Sequence, residues 1–132
     1  MILVDTSIWV DHLRRPEPLL TRLLQSGKVA THPFVITEIA LGSLHERHRK
    51  LAALDALWQV NVAEFNEVRR LIESHSLYSK GLGLTDVHLI ASCMMTVGVQ
   101  LWTRDKALAA VAKSIGINSN LPGASSPSTP SR

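Results

Sequence analysis

The sequence predicts an α/β fold, a three-layer α/β/α sandwich on a central parallel sheet. Three observations lead there. Short apolar runs alternate with longer segments of helical periodicity. The apolar runs lack polar alternation, as strands buried on both faces require. The stretches between them are long enough for crossover helices, which parallel neighbours need.

Residues 1–4 (MILV) read as a buried first strand, and 6–14 as a helix with Ile8, Trp9 and Leu13 apolar. Pro16 and Pro18 interrupt that helix, and 18–26 restart one that Gly27 ends. Residues 28–31 (KVAT) form a second strand, and 33–44 a helix opened by Pro33. Two amphipathic helices, 46–58 and 63–75, flank a strand-like QVNV. A glycine-rich loop, 79–83 (SKGLG), leads to a strongly apolar helix over 85–97, stopped by Gly98. Residues 99–103 (VQLWT) are a buried strand, and 105–115 the last helix, ended by Gly116. One domain is expected over 1–117, with 118–132, rich in Ser, Pro and Gly, as a disordered tail. Trp9 and Trp58 are assigned to core packing.

The chain has 132 residues, 45% of them apolar and 19% charged, as expected of one soluble globular domain. No window is long and apolar enough to span a membrane. The start MILVDTSIWVDHL has no basic stretch before its apolar residues and so does not read as a signal peptide. A cytoplasmic location is expected, and the single cysteine, Cys93, fits a reducing compartment as a small core residue. The net charge is +3 with a pI near 9.4, a mild basic bias. Setting four gathered acids aside leaves 7 of the 11 acidic residues against 14 Lys and Arg. The surface would then be basic around a small acidic pit.

Those four acids are Asp5, Glu38, Asp86 and Asp105. Asp5 ends the first strand and Asp105 lies just past VQLWT, where ligands of open parallel sheets bind. Each also precedes a helix, so an N-cap role competes. Asp86 opens the apolar helix beside Thr85 and could equally serve as a cap or suit the helix dipole. Glu38 is mid-helix with Phe34, Val35, Ile39 and Leu41 around it, where capping is not open to it. There a lone carboxylate is costly unless it is paired with a basic residue or bound to metal. Clustered carboxylates raise one another's pKa, and a divalent cation removes the repulsion. Oxygen-only ligands favour Mg²⁺ or Mn²⁺. No zinc-type Cys/His spacing is present, and His45 and His48 read as solvated helix face. Thr6, Ser7 and Thr103 flank the acids and offer polar support, or ordinary helix-start chemistry. Arg14, Arg15, Arg47, Arg49 and Lys50 read as solvated helix face, and are candidate contacts for the phosphates of a polyanionic ligand.

Four stretches carry a family resemblance: MILVDTSIWVDHLR, FVITEIALG, GLGLTDVHLIAS and LWTRDKALAAVAKSIGI. In this order they resemble the acidic motifs of PIN-domain ribonuclease toxins of the VapC type, over residues 1–117. Thr85 stands where a bulky apolar residue is more usual, and Lys106, Ala107 and Leu108 follow Asp105 without the further acid many relatives carry. The resemblance implies a PIN-like sandwich and Mg²⁺-dependent endoribonuclease activity leaving a 5′-phosphate. It marks Asp5, Glu38, Asp86 and Asp105 as the site, with Ser7 and Thr103 as polar helpers. It also implies a homodimer and a cognate antitoxin, for whose helix Trp9, Leu13, Leu20 and Leu24 could line a groove. The competing readings are a non-catalytic RNA-binding module, a receiver-like phospho-switch, a nuclease acting on DNA, and a PIN-like nuclease with another role such as RNA processing.

Overall fold

The computed structural model describes residues 1–123. Four parallel strands form one sheet in the order β3-β2-β1-β4. They are β1 (Ile2–Val4), β2 (Val29–Thr31), β3 (Trp58–Gln59) and β4 (Gln100–Trp102). The helices are α1 (Thr6–Arg14), α2 (Pro18–Gln25), α3 (Pro33–Ala40), α4 (Arg47–Asp55), α5 (Phe65–Ser74), α6 (Leu84–Met95) and α7 (Lys106–Ile115). Helices layer both sides of the sheet, giving the α/β/α sandwich. Leu3, Val4, Ala30, Leu101 and Trp102 are almost fully removed from water, as central strands of such a sandwich must be.

Local chemistry sets the boundaries. Pro18 starts α2 at its first turn, and Glu17 accepts the Leu19 N–H at 3.2 Å. Pro33 does the same for α3, where His32 Nδ1 accepts the Phe34 N–H at 2.9 Å. Gly116 closes α7 in the left-handed region at φ 88°, where a side chain would strain the backbone. Helix α3 stops at Ala40 rather than running to residue 44. There the Arg47 guanidinium donates to the Ala40 and Gly42 carbonyls and satisfies the helix end.

Two further expectations are corrected. Trp58 lies in β3, not at the end of a helix, and is 48% exposed because β3 is a two-residue edge strand. Trp9, in contrast, is buried in the core with Leu20. The segment 118–123, grouped with the tail 118–132, instead runs beside β4. Leu101 N–H donates to Ile117 O at 2.7 Å, and Ser119 N–H donates to Leu101 O at 3.0 Å. The Trp102 indole N–H donates to Pro122 O at 2.9 Å. Gly123 passes so close to Thr103 that an added Cβ would overlap its carbonyl oxygen. The rest of that tail lies outside the described residues.

Burial leaves two imidazoles without full partners. His32 Nε2 and both nitrogens of His88 are buried with no hydrogen-bond partner among the described residues, and the two rings lie 6.0 Å apart. Burial, and then the proximity of His88, pushes His32 down to about 4; burial lowers His88 as well. A neutral His32 therefore supports the fold fully above its ordinary value of 6.5, and that support fades as pH falls from there toward 4. His32→Asn keeps a capping acceptor and removes the titration. Its unfolding free energy, measured by denaturant titration, should fall less between pH 7 and pH 5 than the wild type's, by at most about 2 kcal/mol. Parallel pH profiles for the two proteins would contradict this assignment.

Candidate active site

The site is built at the carboxyl ends of β1 and β4, where the sheet delivers side chains to a common edge. Asp5 follows β1, and its backbone N–H donates to Trp102 O at 2.9 Å, which locks the two strand ends together. Its side chain is 6% exposed and does not cap α1. Instead Oδ2 accepts from Thr103 Oγ1 at 2.7 Å and from Ser7 Oγ at 2.8 Å. Thr103 also accepts the Asp105 N–H at 3.0 Å. One buried hydroxyl thus joins the two strand-end acids. Asp105 is exposed at the rim and does cap α7, with Oδ1 accepting the Leu108 N–H at 2.9 Å. For this residue the cap and the site coexist.

Asp86 lies in the first turn of α6, whose residues Val87–Cys93 are buried and hold the helix in place. Its Oδ2 accepts the Gly83 N–H at 2.8 Å. Burial, and then the charges of Asp5, Asp105 and Glu38, hold the Asp86 carboxyl above its ordinary value, against the opposing Gly83 hydrogen bond. Thr6 and Thr85, the sequence neighbours of Asp5 and Asp86, both reach Glu38, and Thr103 joins Asp5 to Asp105, so hydrogen bonds bring the four acids to one edge of the sheet.

Glu38 stands on the exposed face of α3, not on an apolar one. The desolvation argument drawn from its sequence neighbours does not apply, because Val35 and Ile39 turn inward while Thr37 and Glu38 face out. Two hydroxyls engage it. Thr6 Oγ1 donates to Oε1 at 2.5 Å, and Thr85 Oγ1 donates to Oε2 at 3.0 Å. The Thr85 contact was not read from the sequence: 47 residues separate the pair, and no local spacing signals it.

No basic side chain of the described residues pairs with the cluster. Among the described residues the ion pairs are Arg49–Glu46, Arg104–Asp11 and Arg104–Glu17. Arg104 is the neighbour of Asp105, yet its guanidinium turns away to Asp11 at 2.9 Å and Glu17 at 3.1 Å. Its backbone N–H donates to Ser7 Oγ at 3.0 Å, so it braces the site without charging it. Of the candidate phosphate contacts, Arg14 and Lys50 line a cleft of about 510 Å³ that includes Glu38. Arg15 lines a separate cleft with Arg14 and Arg104. Arg47 is spent on the end of α3 and Arg49 on Glu46. His45 and His48 are exposed. Cys93 is buried and its thiol pushed up to about 12 by that burial, which suits a core residue.

The donor chemistry fits a hard divalent cation: four carboxylates, no soft ligand and no protein cation. As the side chains stand, no three acid, histidine or cysteine groups among the described residues converge on one ion position. Asp86, Asp105 and Glu38 are turned to their own hydrogen-bond partners.

Comparison with known proteins bears on this arrangement. The PIN domain family profile matches residues 2–114. Ribonuclease VapC32 of Mycobacterium tuberculosis (strain CDC 1551 / Oshkosh) is 43% identical over 117 residues, covering 89% of this chain and 94% of that protein. The protein of the same name from strain ATCC 25618 / H37Rv gives the same figures.

An acid whose carboxyl is raised in the folded state opposes folding once it ionises, and that opposition grows as pH rises through its folded value. Asp86→Asn keeps an acceptor for Gly83 and removes the charge. In metal-free buffer at pH 7 it should melt at the same temperature as the wild type or higher. A clear loss of melting temperature would show that the Asp86 charge is favourably compensated.

Proposed function

The chain belongs to the PIN-domain family, in its VapC ribonuclease branch, and from that premise we propose that it is a divalent-metal-dependent endoribonuclease acting as the toxin of a toxin–antitoxin pair. The observation that carries the metal-dependent part is the uncompensated cluster of Asp5, Glu38, Asp86 and Asp105 at the carboxyl end of a parallel sheet. A Mg²⁺ or Mn²⁺ ion bound there supplies neutralisation of the phosphate charge and a more acidic water.

The residues have distinct parts in this reading. Asp5 and Asp105 would hold the ion directly, being fixed at strand ends. Asp5 Oδ1 and Asp105 Oδ2 accept no hydrogen bond among the described residues and are the oxygens available for it. Glu38 and Asp86 would act through water, orienting the attacking molecule and receiving its proton. Ser7 and Thr103 keep Asp5 in one rotamer, which preorganises the pit. Arg14 and Lys50 would grip flanking phosphates along the cleft beside Glu38, offsetting the repulsion between an acidic pit and RNA.

The family also argues for a cognate antitoxin that covers the site and for a homodimer. Phe65 and Leu84, 65% and 62% exposed at the starts of α5 and α6, are apolar surface suited to self-association. No helix among the described residues is long and apolar enough to cross a membrane. A cytoplasmic site of action fits an RNA target.

Antitoxin-free protein with Mg²⁺ or Mn²⁺ should cleave an RNA pool, and chelator should stop it. Asp5→Asn and Asp105→Asn should each lose at least about 100-fold, since even outer-shell changes at metal sites cost 10–100-fold. Unchanged RNA binding without divalent-dependent cleavage would favour a binding module instead. Arg14→Ala and Lys50→Ala should raise the KM for RNA and lower the salt dependence of binding by about 0.7 each, as for one single-strand phosphate contact. Arg49→Ala, already paired with Glu46, should change both less.

A further inference from the structure

Glu38 is an exposed, flexible side chain on the outer face of α3, the kind that ordinarily stays mobile. Here both of its oxygens are taken by hydroxyls from two other helices. Thr6 of α1 donates to Oε1 at 2.5 Å, and Thr85 of α6 donates to Oε2 at 3.0 Å. These partners are 32 and 47 residues away in sequence, so the arrangement is tertiary and not local helix chemistry. Hydroxyl-to-carboxylate hydrogen bonds are charge-assisted and among the stronger neutral-donor contacts. Thr6 follows Asp5 and Thr85 precedes Asp86. Each hydroxyl is therefore tied by the backbone to another acid of the cluster, and together they set where Glu38 stands relative to both. No basic side chain shares that work among the described residues.

We propose that Thr85 is a positioning residue: with Thr6 it clamps the Glu38 carboxylate beside Asp5 and Asp86, and so sets how tightly the acidic cluster takes a divalent cation. This rests on the metal-dependent reading given above. The clamp leaves each Glu38 oxygen a second lone pair, enough to accept from a water. Without it, the carboxylate would swing through solvent and water in the pit would lose an anchored acceptor. Thr85 has no other side-chain hydrogen bond among the described residues, so the hydroxyl serves Glu38 alone.

Thr85→Val is close to isosteric and removes only the donor. Calorimetric titration of metal-stripped, antitoxin-free protein with Mn²⁺ should show binding about 10-fold weaker than wild type. At saturating Mn²⁺, kcat for RNA should fall while KM for RNA stays put, because the clamp touches no phosphate contact. Thr85→Ser restores the hydroxyl and should recover both quantities to within about two-fold, against the 10–100-fold expected of outer-shell losses. If the valine variant melts early, Thr85→Ala gives the same comparison. Wild-type Mn²⁺ affinity and kcat in a folded Thr85→Val protein, or failure of serine to rescue, overturns the positioning role. Asp5→Asn separates the two ideas. Loss of Mn²⁺ binding there with an unaltered Thr85→Val sinks the clamp alone, whereas a wild type that binds no Mn²⁺ sinks the metal reading and the clamp together.

Discussion

Four negative side chains occupy one end of the sheet with no basic side chain of the described residues paired to them. Such a cluster is unfavourable in itself, since each charge raises the free energy of the others. What keeps it in place is a set of neutral donors: the backbone N–H groups of Gly83 and Leu108 on Asp86 and Asp105, and a run of hydroxyls on the others. Thr103 links Asp5 to Asp105, Ser7 backs Asp5, and Thr6 and Thr85 hold Glu38 between the first and third acids. Neutral donors stabilise carboxylates by hydrogen bonding without cancelling their charge. The negative potential is thereby preserved, which is what a cation site needs and a salt bridge would destroy.

The fold serves this arrangement. Parallel strands β1 and β4 end side by side, and the Asp5 N–H to Trp102 O bond fixes their tips. The buried α6 aims its first turn at the same edge. Arg104, next to Asp105, is drawn off by Asp11 and Glu17 and does not collapse onto the pit. Those two ion pairs tie the segment after β4 to α1 and the start of α2, so a residue that could have quenched the site stiffens its support instead.

Much of this was legible in the sequence, for physical reasons that can be named. Proline and glycine placed α2 and α7 closely, since Pro18 and Gly116 act through backbone geometry alone. Strand-end acids were legible because parallel topology sends them to one edge. Less legible were features decided by tertiary contact. Helix α3 ends early, and the Arg47 side chain that satisfies its terminal carbonyls is announced by no helical pattern. Glu38 was read as facing an apolar environment from its neighbours, yet the helix turns that position to solvent. Asn118–Gly123 reads by composition as part of a disordered tail but pairs with Leu101 and lies over Thr103, because backbone hydrogen bonds ask nothing of side-chain type. The Thr85 contact with Glu38 joins residues far apart in the chain and leaves no periodic trace.

The account stands on the acids forming one cation site, and diffraction at the manganese absorption edge tests that without reference to activity. Crystals of the antitoxin-free protein grown with Mn²⁺ should give an anomalous peak within coordination distance of Asp5 and Asp105, with Asp86 and Glu38 around it. A map with no peak at the carboxyl ends of β1 and β4, or with one of the four acids turned onto a lysine or arginine there, would contradict it.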